Sequence, residues 1–260
     1  MIGHRGASAL APENTLAAFR RAIEDGADGV EFDVRLSRDG VPVVIHDATL
    51  RRTGLHAGIV EEMTAAELCQ VDVGSWFNRA RPHLAQNEYA NERVPSLDAV
   101  LELFVAGGRH FANAKLYLEI KTRHAGSSAT ELTRAVVGSV LAHGLEERVV
   151  VLAFDLRTIA EARRISSAVR TGALLKPRLS QPAGIMRKQA IISTVIRSGA
   201  NEIALHRSLA TRGMVKSAID RDLSVVVWTV NNQKWMIRAR KGGVHAVISD
   251  DPSSMRAVQA

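Results

Sequence analysis

Two carboxylates stand one residue apart in Val30-Glu31-Phe32-Asp33-Val34, and an imidazole follows in Val43-Val44-Ile45-His46-Asp47. In an extended chain the side chains at i and i+2 share a face, so Glu31 and Asp33 lie side by side. Adjacent carboxylates repel unless a cation or a proton sits between them. Leu36 to His46 reads as a strand end, an Asp39-Gly40 turn and a returning strand. With Asp39-Gly40 as a two-residue loop, Arg38 pairs with Val41, and counting back along both strands sets Asp33 opposite His46. Directly paired residues project to the same side with Cβ atoms about 5 Å apart.

A third carboxylate comes from Glu119-Ile120-Lys121. Leu116, Leu118 and Ile120 alternate against Glu119 and Lys121, which aims both polar residues at an interior rather than at covering helices. Charges aimed inward must be paired or bind a metal. Glu31, Asp33 and Glu119 together form a hard oxygen set without sulfur, suited to Mg²⁺ or Ca²⁺. Arg5 and Lys121 beside such a metal would neutralise a bound phosphate. The imidazoles of His4 and His46 exchange protons near neutral pH and suit a general acid and base for phosphodiester cleavage. Trp228 is a rim residue that joins Arg5 and Lys121 in the expected phosphate- and substrate-binding set. His206, Asp155 and Asp250 are expected to be supporting or structural residues. Singly, each group has a plainer reading: a capped turn for His4-Arg5-Gly6, a solvated edge for Glu31 and Asp33, a surface ion pair for Glu119 and Lys121.

These residues need a scaffold that brings distant stretches to one place. After the short lead Ile2-Gly3, the spacing of Leu16, Phe19, Ala22 and Ile23 predicts a helix capped by Asn14. From Ser96 onward helices and strands alternate. Strands are expected at Leu116–Lys121, Val149–Ala153, Gly172–Leu175, Glu202–Leu205, Ser224–Val230 and Ala246–Ser249. Helices are expected near 97–104, 129–143, 155–166, 185–198, 211–220 and 233–241. With the strands at Ile2 and Val30, this α/β alternation fills eight strand slots and predicts a (β/α)8 TIM barrel. A doubly wound sheet is the alternative, but no Gly-x-Gly-x-x-Gly follows the first strand. In a barrel, His4-Arg5, Glu31-x-Asp33, Glu119-x-Lys121, Asp155, His206, Trp228-Thr229-x-Asn231 and Asp250 fall at C-terminal strand ends.

The 260 residues contain no linker or composition shift, so one domain is expected over 1–260 with an insertion at about 49–93. There Thr64-Ala65-Ala66-Glu67 resembles a capping box and Pro82 to Arg93 is polar and irregular. The only cysteine, Cys69, excludes an internal disulfide and reads as a small buried hydrophobe on a helix. The formal charge of +7 is dispersed, with aromatics at 4% and no basic block, which argues against nucleic acid. The apolar run Val149 to Phe154 is too short to span a bilayer, and no secretion signal opens the chain, so a cytoplasmic location without membrane insertion is expected.

The ordered motifs carry a resemblance. His4-Arg5-Gly6-Ala7, Ala11-Pro12-Glu13-Asn14-Thr15, Gly29-Val30-Glu31-x-Asp33-Val34, Val43-Val44-x-His46-Asp47, Val94-Pro95-Ser96-Leu97, Leu118-Glu119-Ile120-Lys121, Trp228-Thr229-Val230-Asn231 and Ser249-Asp250-x-Pro252 look like the glycerophosphodiester phosphodiesterases. The resemblance implies a barrel with an insertion after the second strand and a divalent metal ion. It also implies hydrolysis of glycerophosphodiesters to sn-glycerol 3-phosphate and an alcohol; the chain itself is expected to be a monomer or homodimer. It assigns His4 and His46 as the acid/base pair, Glu31, Asp33 and Glu119 as ligands, and Arg5 and Lys121 as phosphate contacts. It further implies attack of the glycerol 2-hydroxyl, with water opening a cyclic phosphate. A lysophospholipase D, a cyclising lipid phosphodiesterase and a non-catalytic phosphodiester-binding barrel are the alternatives. Gly243-Val244-His245, Ser249 and Arg51-Arg52-Thr53-Gly54 depart from the family pattern without touching a proposed ligand or proton carrier.

Overall fold

The structure is a computed structural model that describes residues 1–122, 127–177 and 188–256. The elements run β1 (Ile2–His4), α1 (Leu16–Glu24), β2 (Gly29–Leu36), β3 (Pro42–Val44), α2 (Ala65–Leu68), α3 (Ser75–Ala80), α4 (Leu97–Ala106), β4 (Lys115–Ile120) and α5 (Ser127–Ala142). They continue β5 (Val149–Ala153), α6 (Leu156–Ile165), β6 (Arg170–Leu175), α7 (Lys188–Arg197), β7 (Glu202–His206), α8 (Arg212–Ile219), β8 (Ser224–Trp228), α9 (Gln233–Lys241), β9 (Ala246–Ser249) and α10 (Pro252–Arg256). Of the helix expected near 185–198, Ile185 to Arg187 lie outside the described residues and the rest is α7.

Eight strands pair in parallel and close, because β1 bonds to β9 on one side and to β2 on the other. The ninth, β3, is the short return strand, antiparallel to β2. This is the (β/α)8 barrel expected from the alternation. Three residues suffice for β1, since Ile2 and Gly3 find backbone partners in both neighbours. Gly29 opens β2 because a Cβ there would lie 2.1 Å from the Lys115 carbonyl oxygen.

The pleat sorts the side chains. Leu116, Leu118 and Ile120 of β4 pack outward with Phe19, Phe32 and Phe104 in the layer under the helices, where the Phe19 and Phe32 rings are 5.5 Å apart. Inward-facing Ile2, Tyr117, Val150, Leu152, Leu174, Ala204, Val226 and Ile248 fill the barrel. On β4, Glu119 stands one inward position beyond Tyr117, toward the C-terminal end of this apolar filling.

Two local expectations are corrected. The cap of α1 is Thr15, whose hydroxyl accepts from the Ala18 N–H, while Asn14 takes φ 58° and points elsewhere. The turn after β2 has three residues, not two. Gly40 at φ +78° absorbs the extra residue, Ser37 N–H donates to Val41, and Val34 pairs with Val44. Asp33 therefore lies opposite Ile45, whose N–H donates to its carbonyl, and not opposite His46.

Between β3 and α4 the chain forms α2, α3 and tight turns at Val60–Glu62, Pro82–Leu84 and Asn87–Asn91. The Thr64–Glu67 capping box is present, and Ser96 caps α4. Leu50, Val60, Leu68, Val73 and Val94 bury a small core of their own against Val43 and Ile45. Cys69 is a half-buried C-cap of α2 rather than a buried helical residue. Among the described residues no helix is long and apolar enough to cross a membrane.

Candidate active site

Glu31 and Asp33 of β2 and Glu119 of β4 converge at the C-terminal mouth. Asp33 and Glu119 are register partners on neighbouring strands, and all three side chains are buried. One oxygen from each lies within 4.8 Å of the others. Asp33 Oδ1 and Glu119 Oε1 are buried without an aligned hydrogen-bond donor. Lys121 Nζ stands 3.1 Å from the first and 2.6 Å from the second as an ion-pair partner. Burial, then the charge of Asp33, pushes Glu31 up to about 7. Burial would raise Asp33 as well, but Lys121 and Arg5 outweigh it and hold that carboxyl below the usual range. Such a cluster is short of positive charge at its centre.

Those observations fit a divalent cation. Two oxygens each about 2.4 Å from one ion can be no more than about 4.8 Å apart, and the three oxygens here lie within that limit. Hard carboxylate oxygens of this kind are the donors that oxygen-binding divalent cations such as Mg²⁺ and Ca²⁺ take.

Asn14 is the brace that sequence reasoning missed. Its side chain donates to Asp33 Oδ2 at 2.9 Å and accepts from the Asp33 N–H at 3.2 Å. The left-handed backbone of Asn14 is what turns the amide inward, and asparagine tolerates that conformation better than most residues. Arg5 has φ 54°, its N–H donates to Glu31, and its guanidinium spans Glu13 at 2.8 Å and Asp33 at 3.1 Å. The Glu13-Asn14 pair thus holds both Arg5 and Asp33.

Each histidine is held by one nitrogen. His4 Nδ1 meets Asp250 at 2.5 Å, while its Nε2 lies 3.8 Å from Glu31. Burial pulls its pKa down, but the Asp250 hydrogen bond and the Glu31 charge outweigh it, so the net direction is up. His46 Nδ1 meets Asp47 at 2.6 Å, and Arg35 Nε donates to the His46 carbonyl at 2.8 Å. For His46 burial dominates and the pKa falls, although Asp33 pulls it upward. His46 reaches the mouth from the segment after β3, so its nearness to Asp33 survives the shifted strand register. Asp250, expected to be a supporting residue, does support His4, and Asn231 donates to its other oxygen.

Trp228 ends β8 with its indole N–H donating to the Ala204 carbonyl and its ring edge-on to Phe154 and His206. It forms the apolar wall of the mouth. Asp155 caps α6 and pairs with Arg157, a structural task.

The C-terminal mouth of a closed parallel barrel thus brings together a buried acidic cluster, two anchored imidazoles and inward cations, the groups that phosphoryl chemistry uses. The chain belongs to the glycerophosphoryl diester phosphodiesterase family, whose model matches residues 4–254. A glycerophosphodiester phosphodiesterase of Caldanaerobacter subterraneus subsp. tengcongensis is 31% identical over 98% of this chain and 95% of its own length. Among solved structures, an Oleispira antarctica phosphodiesterase in complex with the product sn-glycerol 3-phosphate superposes with TM-score 0.83 at 27% identity, over 99% of this chain and 95% of that one. A glycerophosphodiester phosphodiesterase from Agrobacterium tumefaciens follows at TM-score 0.77 and 25% identity, covering 98% of each chain.

Proposed function

We propose that this enzyme hydrolyses glycerophosphodiesters to sn-glycerol 3-phosphate and an alcohol, using a divalent cation and two histidines. The convergence of three buried carboxylates on one point beside Arg5 and Lys121, two of them with an oxygen that no hydrogen bond satisfies, carries the reading. Glu31, Asp33 and Glu119 would hold the ion. When bound, it supplies positive charge that polarises the phosphoryl group. Lys121 and Arg5 add fixed positive charge at the same end of the barrel, where the non-bridging phosphate oxygens would lie.

The histidines divide the proton traffic by their surroundings. Asp47 fixes the His46 Nδ1–H tautomer, leaving Nε2 as an acceptor on an imidazole whose pKa burial lowers. His46 takes the proton from the attacking hydroxyl. Asp250 likewise orients His4, but here the hydrogen-bonded carboxylate favours the protonated ring. A cation between the carboxylates would mute the Glu31 contribution to His4 while leaving the Asp250 bond in place. His4 gives its Nε2 proton to the leaving alcohol oxygen. If the 2-hydroxyl of the glycerol attacks first, the roles reverse as water opens the cyclic phosphate, returning both rings to their starting states.

The test is direct. Purified protein incubated with glycerophosphocholine or glycerophosphoethanolamine should release sn-glycerol 3-phosphate with Mg²⁺ or Ca²⁺ present, and lose that activity on chelation. Folded, metal-loaded protein that yields no glycerol phosphate from any headgroup would overturn the proposal.

A further inference from the structure

We infer that Arg52 is a positioning residue that ties His46 and Arg5 together, so that one side chain from the inserted segment sets both the proton-exchanging and the phosphate-facing sides of the mouth. The inference rests on the roles proposed above for His46 and Arg5.

The guanidinium of Arg52 spends its donors on two carboxylates. Nη1 and Nη2 donate to Glu13 Oε2 and Oε1, both at 2.7 Å, and Nε donates to Asp47 Oδ2 at 2.7 Å. Each carboxylate passes the restraint on. Asp47 Oδ1 holds His46 Nδ1 at 2.6 Å, and Glu13 Oε1 accepts from Arg5 Nη1 at 2.8 Å. The result is an unbroken string from His46 through Asp47, Arg52 and Glu13 to Arg5, and from Arg5 to Asp33 at 3.1 Å.

Exposed single ion pairs contribute little, but a bidentate arginine within a network is the exception. Only a planar fork can hold one carboxylate in parallel and a second along its edge, and an ammonium cannot copy that. Both partner carboxyls, Glu13 and Asp47, are shifted below their ordinary values. In each, burial opposes the shift and the hydrogen bond from Arg52 is the largest favourable cause.

The fork is itself held. Arg52 lies in a turn closed by the Gly54 N–H on the Leu50 carbonyl at 2.8 Å, and Leu50 is fully buried in the small core of the insertion. The guanidinium carbon lies 5.9 Å from the Trp76 ring centroid, at the outer range of a cation–π contact, and the Trp76 indole N–H donates to the Val73 carbonyl. Hence the segment between β3 and α4 reaches the reacting groups through Arg52. Without it, Asp47 keeps His46 but can swing, and Glu13 keeps Arg5 but loses its second anchor.

The test uses full-length, metal-loaded protein carrying Arg52→Gln, Arg52→Lys, Asp47→Asn and the Asp47→Asn/Arg52→Gln double variant. With glycerophosphocholine, Arg52→Gln should lower kcat/KM about 10- to 100-fold, the range for groups that orient a site's direct contacts. Both kcat and KM should move, because His46 and Arg5 are disturbed together, and Arg52→Lys should not restore either. The double variant should lose less than the product of the single losses, since Asp47 and Arg52 act through one string. By ¹⁵N NMR the neutral His46 ring should carry its proton on Nδ1 in the parent and become a tautomer mixture in Arg52→Gln. Wild-type kcat/KM in Arg52→Gln, full rescue by lysine, or strictly multiplying losses would each overturn the inference. The NMR arm needs no turnover. An unchanged His46 tautomer in a folded Arg52→Gln protein rejects the string even if the substrate reading fails.

Discussion

Asp33 has two oxygens and more suitors than it can satisfy. Oδ2 accepts from Asn14 and lies against Arg5, while Oδ1 faces Lys121 without an aligned hydrogen. The Asn14 amide therefore decides which lone pair is left for a cation. Replacing Asn14 by Ala should weaken Mg²⁺ or Ca²⁺ binding about 10- to 100-fold with the fold intact, read by calorimetric titration. Equal affinity in the variant would mean that Arg5 and Lys121 alone orient Asp33. At the histidines the expectation is larger. His4→Ala and His46→Ala should each lower turnover by at least about 10²-fold while metal affinity stays near that of the parent. Near-normal turnover in either would break the proposed division of proton transfer. Asp250→Asn is the subtler probe. It keeps a partner for His4 Nδ1 but removes the charge that favours the protonated ring, so the acid-side role of His4 should weaken before its position does.

At the scale of elements, the hairpin of β2 and β3 shows what the sequence could and could not tell. Strand identity was readable, because β-branched and aromatic residues alternate with the carboxylates and an Asp-Gly pair marks the turn. Register was not, because a two-residue and a three-residue loop both use that pair, and the choice depends on whether Gly40 alone takes positive φ. The Ser37 hydroxyl, which accepts from the Val41 N–H and donates to Asp39, favours the longer loop. Gly40→Val should thus destabilise the protein by about 1–2 kcal/mol, the cost of a left-handed β-branched residue, as a lower urea midpoint with an unchanged slope. A neutral result would mean the turn has rearranged to the two-residue form. The same logic applies to the first loop. Asn14 before an apolar helical repeat looks like a cap, and only the closed barrel reveals that Thr15 caps the helix and frees Asn14 for Asp33. The three acidic positions were legible from alternation alone. The roles of Glu13, Asp47, Arg52 and Asn231 were not, since they arise from contacts between loops that the alternation of strands does not order. Glu13, Asp47 and Asn231 fall inside the family motifs, which was the one available signal, and Arg52 falls where the chain departs from them.

For the molecule as a whole, the mouth stores electrostatic strain that the surrounding barrel must hold, and pH should reveal it. Burial and the neighbouring Asp33 raise Glu31 to about 7 from its ordinary value of 4.5, and burial raises Glu119 in the same direction. A carboxyl raised by folding contributes stability below its unfolded pKa and loses that contribution as pH climbs through the folded value. Metal-free protein should therefore lose stability between about pH 4.5 and 7 from these groups. Asp33 runs the other way, but its depressed pKa acts only as pH falls below its unfolded value of 3.8, outside that window. A bound cation needs the ionised carboxylates, so it competes with the proton on Glu31 and gains affinity over the same interval. The gap in melting temperature between metal-loaded and chelated protein should accordingly be wider at pH 8 than at pH 5.5. Titrating metal near pH 6 should release about one proton, measurable as a dependence of the calorimetric heat on buffer ionisation enthalpy. A gap that is flat across the interval, with no proton released, would mean the cluster is already ionised without a cation. The buried carboxylates would then be balanced by Arg5 and Lys121 alone, and the argument for a metal at this mouth would lose its electrostatic basis.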